Sequence, residues 1–501
     1  MSKKSIFIAF VVSLGGFLFG FDAGIISGVV SYVGPEWNLT DAQIGWVVSS
    51  PSFAAMIAML IAGKLSDHLG RKKILLFVAF AYAISALLSA LATSYEMLYI
   101  ARMIGGLAFG SALVLAPTYI AEIANASNRG KLVSIQQLNI VFGFFAAFLS
   151  NYYLNSINTP NNFFFTDQTV WRWMLGVELL PALVYFILLF FVPRSPRWLF
   201  SNQQNKEAIA VLKQIHGLEQ AQTEAASIQQ SINQHTITSK TSIFELLKPG
   251  LRYILIVGLV LGVLQQITGI NAVYFYATSI FKQTGIGTDA AFSSGVLLSF
   301  TTVIFTFAAI FLIDRMGRRP LLLIGMAGIA TSLLVCAYGF HKAEYKLTSQ
   351  EIAAFQNFQP DLLKPIQNKG YTSDVVFKND VKALLGNQVY AKNEGAILEA
   401  ATEMNAAIVL LGILGFIACF AFSLGPVMWV MLSELYPNAY RGLAIGVIGF
   451  VNSFTSWGVQ QLFPWELSHL GSALTFFILL KILPETKGKS LEQIELEFVK
   501  N

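Results

Sequence analysis

Charge is what this sequence has least of. Only 12% of its 501 residues are Asp, Glu, Lys or Arg, about half the density of an ordinary soluble domain. Against that, 55% of residues are hydrophobic and the mean hydropathy is +0.61. This balance excludes a soluble globular fold. Cysteine is nearly absent as well: Cys336 and Cys419 are the only two, and both fall inside apolar stretches. They read as buried thiols, and a disulfide scaffold is excluded. No nucleophile–base pair, metal-ligand cluster or phosphate-cradling loop stands out, so the chain is not expected to be an enzyme or to hold a metal or cofactor. The net charge of +5 is read through its placement rather than as a nucleic-acid signal. The opening Met-Ser-Lys-Lys runs straight into an apolar stretch that lacks a small-residue cleavage site and is too long for a signal peptide. The expectation is a first helix that is retained.

What is there in abundance is apolar sequence in runs long enough to cross a hydrocarbon core of ~30 Å. Hydropathy predicts spans near 6–33, 43–63, 74–92, 97–120, 132–154 and 173–192. After a polar interruption come 252–275, 291–313, 320–340, 406–432, 442–463 and 466–483. The fold class is therefore an all-α polytopic membrane protein with a lipid bilayer as its surroundings. An even number of spans puts both termini on one side, and basic residues decide which. Lys64, Arg71, Lys72, Lys73, Arg129, Lys131, Arg315, Arg318, Arg319 and Arg441 fall in connections on one side, while 34–42, 93–96 and 155–170 contain no Lys or Arg. Both termini are expected in the cytoplasm, with the chain in the cell (inner) membrane. The polar stretch 193–251 is then a cytoplasmic linker, with a short amphipathic helix over Lys206–His216.

The two halves repeat. Asp67 with Gly70-Arg71 follows span two, and Asp314 with Gly317-Arg318 follows span eight, 247 positions later. Glu122 with Arg129-Gly130 follows span four, and Glu434 with Arg441-Gly442 follows span ten, 312 positions later. The offsets differ by 65, and the polar segment 341–405 accounts for the difference. The reading is two six-helix bundles of one plan, 1–192 and 252–483, the second split by an outer insertion between 252–340 and 406–483. A cytoplasmic tail, 484–501, closes the chain. The insertion mixes seven lysines with eight acids, and either a small, partly helical cap or a flexible loop fits it.

Glycines at 16, 20, 24 and 28 give span one a smooth face for close helix packing. Among them sits Asp22, whose burial in a bilayer costs roughly 2.5–3.5 kcal/mol unless it is paired or wetted. Arg102, at the start of span four, is the leading partner. A carboxylate that alternates between a basic partner and a proton is a minimal proton-coupling device. Glu178, six residues past Arg172, is a second intramembrane acid, and an interfacial position is equally open for it. Asp67, Arg71, Glu122, Arg129, Asp314, Arg318, Glu434 and Arg441 put acids and bases at inner helix ends in both halves, as a gating network would. Gln137, Gln265, Gln266 and Asn271 are uncharged amides in apolar sequence, each able to donate and accept toward sugar hydroxyls. Tyr274, Tyr276 and Trp429 lie nearby and suit stacking on a sugar ring, with the two tyrosines as an aromatic lining or outer gate. Gly425-Pro426 marks span ten as a bent or broken helix.

These residues lie in motifs that resemble the sugar porter family of the major facilitator superfamily. Gly16-Phe-Leu-Phe-Gly-Phe-Asp22, Arg102-Met-Ile-Gly-Gly, Glu122 to Arg129-Gly, Pro193-Arg-Ser-Pro-Arg-Trp-Leu, Gln265-Gln-Ile-Thr-Gly-Ile-Asn271, Asp314-Arg-Met-Gly-Arg-Arg and Pro484-Glu-Thr-Lys-Gly fall in family order. The resemblance covers nearly everything except 341–405 and implies the major facilitator fold. It further implies sugar contacts from Gln137, Gln265, Gln266, Asn271, Trp429 and Asn452, and proton coupling by Asp22, Arg102 and Glu178, as in bacterial xylose-type symporters. The expected partners are a monosaccharide and a proton, carried by a monomer through alternating access.

Three positions depart from the family. Arg194 stands where Glu is usual in Pro-Glu-Ser-Pro-Arg, Thr302 stands where many members have Asn, and span twelve has only eleven uncharged residues from Leu470 to Leu480. A passive uniporter and a proton/myo-inositol symporter remain open within the class. So does a non-transporting receptor on the same fold, although the tail after Pro484 is short for one.

Overall fold

A computed structural model describes residues 3–124, 128–159, 162, 164–237, 243–436 and 438–472. Of the expected shortened helix twelve, 466–483, only 466–472 are described, and the tail 484–501 lies outside these residues. The first half comprises α1 (Lys3–Trp37), α2 (Asp41–Leu69), α3 (Arg71–Ala90), α4 (Tyr95–Ile123), α5 (Arg129–Ser156), α6 (Val170–Val177) and α7 (Leu179–Leu189). Three helices follow in the polar linker: α8 (Pro196–Ser201), α9 (Asn205–His216) and α10 (Leu218–Ile237). The second half resumes with α11 (Pro249–Ile267), α12 (Ile270–Phe275), α13 (Ala277–Lys282), α14 (Thr288–Met316) and α15 (Arg318–His341). The insertion holds β1 (Glu344–Tyr345), α16 (Ser349–Ala354), α17 (Asp374–Leu385), α18 (Asn387–Ala401) and β2 (Thr402–Glu403). The bundle then closes with α19 (Ala406–Phe422), α20 (Leu424–Leu435) and α21 (Asn438–His469).

Among the described residues, ten runs are long and apolar enough to cross a bilayer, and they coincide with predicted spans one to ten. The eleventh, α21, is more polar because one face carries Asn452, Ser456 and Gln460 at every fourth position. It also runs further than expected. The sequence suggested a boundary at 463–466, yet the helix continues through Pro464 to His469. A proline leaves the carbonyl four residues earlier without its helical donor. That carbonyl belongs to Gln460, and it accepts instead from the Tyr276 hydroxyl at 3.0 Å. Span ten does break near its proline. Pro426 cannot bond the Phe422 carbonyl, and Ser423, at φ −123° and ψ −94°, separates α19 from α20.

The glycine face of α1 packs on α5. A Cβ on Gly20 would lie 2.0 Å from the Ile140 carbonyl oxygen, and one on Gly143 would lie 2.0 Å from that of Phe17. The two backbones therefore touch. The repeated Asp-x-x-Gly-Arg motif also takes one geometry in both halves. Gly70 (φ +92°) and Gly317 (φ +82°) turn the chain between consecutive spans in a conformation that suits glycine. Arg71 and Arg318 then each donate to the backbone five residues back, Arg71 to Ser66 at 3.0 Å and Arg318 to Ile313 at 3.3 Å.

Contacts between the halves concentrate toward the end that bears the insertion. There α2 lies along α21 and α5 along α14. Ser49 donates to Gln461 (2.8 Å), Ser52 to Gln460 (3.0 Å) and Asn155 to Asp289 (2.7 Å). The backbone N–H of Thr278 donates to the Ser27 hydroxyl at 3.0 Å. The insertion itself is an ordered cap with its own core around Tyr345, Leu363, Phe377, Ile397 and Leu398. Its neck is closed by pairing of Glu344 with Glu403 and Tyr345 with Thr402. Asp374 accepts from the backbone N–H and hydroxyl of Ser472, each at 3.2 Å, and α18 packs on α13 and α1.

Candidate functional site

Two constellations occupy the middle of the bundle. The first is an ion pair in the first half. Arg102 Nη1 lies 3.1 Å from Asp22 Oδ1 and Nη2 lies 3.5 Å from Oδ2, with Asp22 6% exposed and Arg102 2%. The guanidinium is also held from behind, because its Nε donates to the Val47 carbonyl at 3.0 Å. Glu178 is 4% exposed and interacts electrostatically with both Asp22 and Arg102. It sits where α6 gives way to α7. Glu178, for which an intramembrane and an interfacial position were equally open, is thus buried near the Asp22–Arg102 pair.

The second constellation is an amide cluster in the second half. It forms because the seventh span is interrupted at Thr268-Gly269, where Gly269 takes the left-handed conformation. Gln265 and Gln266 end α11, Asn271 opens α12, and Asn452 faces them from α21. Asn271 Nδ2 donates to Gln266 Oε1 (2.7 Å) and to the Ser456 hydroxyl (2.7 Å). Gln266 Nε2 donates to Asn452 Oδ1 (3.1 Å), and Asn452 Nδ2 to Gln265 Oε1 (2.9 Å) and the Gly262 carbonyl (2.8 Å). Gln265 Nε2 reaches the carbonyls of Leu424 and Gly425 at 3.3 and 3.2 Å, beside the break in span ten. Ser456 and Gln460 complete the network, with Gln460 Nε2 donating to Ser456 at 2.8 Å. Neither was singled out from the sequence. The period of four from Asn452 to Ser456 to Gln460 was the available signal.

Gln137 and Trp429 stand apart from that network. Gln137 is exposed, on the stripe of α5 that continues through Val141, Phe144 and Phe148. Phe144 packs on Tyr274 with ring centroids 4.8 Å apart, and Phe148 lies against Gly295 of α14, so this stripe faces the other half. Trp429, 43% exposed, lies against Gly449 of α21. Both lie in the part of their span nearer the basic connections, Gln137 toward the Arg129 end of α5 and Trp429 in α20. Tyr274 and Tyr276 are buried on the opposite side. The Tyr274 and Thr302 hydroxyls share a hydrogen bond of 2.7 Å, so the departure at Thr302 supports an aromatic ring rather than leaving a gap. Tyr276 stacks on Phe463 at 5.2 Å and lies within the electrostatic reach of Arg102.

At the basic end, Arg71 joins Asp67 (2.6 Å) and Glu122 (3.1 Å), and Glu122 also accepts from the Ser195 hydroxyl. These bonds brace the first half to the start of the linker and do not cross between halves. Arg194, the other departure, pairs with Glu207 of α9 at 3.5 Å. The side chains of Arg129, Asp314, Glu434 and Arg441 lie outside the described residues. Among the described residues no group of His, Cys, Asp and Glu is placed to hold a metal ion.

The family model described as "Sugar (and other) transporter" matches residues 8–355 and 383–498. The stretch it skips lies within the insertion and includes Asp374. An arabinose-proton symporter of Bacillus subtilis (strain 168) is 32% identical over 99% of this chain and 95% of that protein. The major myo-inositol transporter IolT of the same organism is 31% identical over 98% of this chain and 93% of that protein. Among solved structures, the partially occluded inward-open conformation of the xylose transporter XylE from E. coli matches with a TM-score of 0.72 at 27% identity. It covers 98% of this chain and all (100%) of that one.

Proposed function

Since the chain belongs to the sugar (and other) transporter family and is a multi-pass membrane protein of the major facilitator fold, we propose that it imports a monosaccharide, a pentose or hexose, together with a proton. The observation that carries this reading is the amide cluster of Gln265, Gln266, Asn271 and Asn452 at a broken helix. A dense set of donors and acceptors inside an apolar bundle is costly unless it is satisfied. Here the amides satisfy one another, and the hydroxyls of a sugar, which both donate and accept, can replace those partners one for one. Gln137 from the first half and the Trp429 ring would complete the site from the open side.

Proton coupling rests on the first constellation. Two buried carboxylates against one guanidinium leave one negative charge, which a proton balances. Tyr276 lies between the two systems, bonded to Gln460 of the amide network and near enough to Arg102 to feel its charge. It is therefore the proposed link between protonation and the sugar site. Closure at the insertion end and exposure of Gln137 and Trp429 at the other fit an inward-facing state of an alternating-access cycle. The basic connections support a cytoplasmic position for that open end and for both termini, in a cell (inner) membrane.

The names of relatives also support a second substrate class. One is a myo-inositol transporter at nearly the same identity as the arabinose symporter, so a proton-coupled cyclic polyol is the alternative cargo. Uptake of labelled D-xylose, D-glucose and myo-inositol into proteoliposomes, with and without an inward proton gradient, tests both substrate and coupling.

A further inference from the structure

The bond that holds Arg102 from behind has an uncommon acceptor. Val47 lies in the interior of α2, where a carbonyl ordinarily receives the N–H four residues on. The residue four on is Pro51, which has no N–H. The Val47 oxygen is thus left without its helical donor at full burial, and Arg102 Nε supplies one at 3.0 Å. The approach is prepared on the other helix too. Gly106, one turn from Arg102 on α4, lies so close to Pro51 that an added Cβ would sit 2.3 Å from the Pro51 carbonyl oxygen and 2.6 Å from its Cα. Pro51 therefore makes the acceptor, and Gly106 lets α4 come near enough for Arg102 to use it.

We propose that Pro51 is a positioning residue for the proton site: by withholding a helical donor from Val47, it keeps one buried carbonyl as the fixed acceptor that aims Arg102 at Asp22. A guanidinium anchored only to the carboxylate would be free to swing with it. Anchored through Nε to the backbone of α2, it holds station while Asp22 exchanges its proton. Tyr276 and Gln460 use the same device on the facing helix, where Pro464 frees the Gln460 carbonyl for the Tyr276 hydroxyl. Two proline-freed carbonyls thus hold one side chain each, Arg102 on Val47 and Tyr276 on Gln460. The inference rests on the proton-coupled reading above, and its test separates the two.

Pro51→Ala in the full chain returns an N–H that competes with Arg102 for the Val47 carbonyl, and Pro51→Gly does the same with a different side chain. Both variants should fold, since a helix interior accepts Ala better than Pro. With the labelled sugar that the wild type carries, gradient-driven accumulation should fall about tenfold, the worth of one hydrogen bond to a charged group. The pH profile of uptake should be displaced, while the KM for sugar in gradient-free exchange stays within about threefold of wild type. A helix-bending role alone would leave the pH profile where it was, and that result would overturn the proposal. An experimental structure of Pro51→Ala gives a readout that needs no transport. Arg102 Nε should leave the Val47 carbonyl, and its persistence there would overturn the proposal. A wild type that shows no gradient dependence would remove the proton-coupled reading and, with it, any coupling role for Pro51.

Discussion

Arg102 and Asp22, 80 positions apart in the sequence, meet with Nη1 3.1 Å from Oδ1 at a depth where neither is more than 6% exposed. Neither group is tolerable there alone. The pair is assembled by three helices: α1 brings the acid, α4 brings the base, and α2 supplies the carbonyl that fixes the base in place.

Removing the base should therefore cost stability as well as coupling. Arg102→Met leaves Asp22 and Glu178 buried with no cation between them, a loss of about 3–5 kcal/mol by comparison with broken buried pairs elsewhere. Thermal unfolding in detergent should show a lower midpoint for Arg102→Met. Much of it should be recovered in the double variant Arg102→Met with Asp22→Asn, which no longer buries that charge.

The amide cluster should respond to truncation through sugar affinity. Asn452→Ala removes the shared partner of Gln265 and Gln266 and leaves polar atoms of both without it. A weakening of about 10- to 100-fold in sugar binding is expected, the range for losing one or two buried hydrogen-bonding groups at a polar site. Titration calorimetry on purified protein reads it, and an unchanged dissociation constant would place the sugar elsewhere.

Packing of α1 on α5 gives a prediction with an internal control. Gly20→Val puts a branched side chain where even a Cβ would lie 2.0 Å from the Ile140 carbonyl. The helices must separate, at a cost of about 1–3 kcal/mol or more. Gly446→Ala, where an added Cβ meets nothing within 4 Å, should behave as wild type. Yield of monodisperse protein and its unfolding temperature make the comparison.

Much of this was legible because membrane helices announce themselves by length and apolarity. Spans one to ten sit where hydropathy put them, and the Gly16 to Gly28 stripe predicted a close helix contact, whose partner the structure identifies as α5. The duplicated Asp-x-x-Gly-Arg spacing predicted a shared geometry that Gly70 and Gly317 display. What stayed hidden depended on three-dimensional approach. The position of Glu178 was left open because its distance along the chain from Arg172 says nothing of how α6 tilts or where it ends. Ser456 and Gln460 were overlooked because a serine and a glutamine on a long helix become informative only once Asn271 and Tyr276 face them. The end of α21 was misjudged for a related reason: hydropathy alone does not show that Tyr276 satisfies the carbonyl stranded by Pro464, so that the helix can continue. The cap's order was undecidable from composition, since its charges are surface while its core residues are scattered between Tyr345 and Ala401.

The most direct test of the central claim is uptake of labelled D-xylose, D-glucose and myo-inositol into proteoliposomes, with an imposed inward proton gradient and without one. The expected result is accumulation of at least one of the three above equilibrium. It should appear only with the gradient, and be abolished in Asp22→Asn while equilibration of the same sugar continues. Equilibration that ignores the gradient in wild type and Asp22→Asn alike would contradict it, and would make the buried pair a structural brace in a passive carrier.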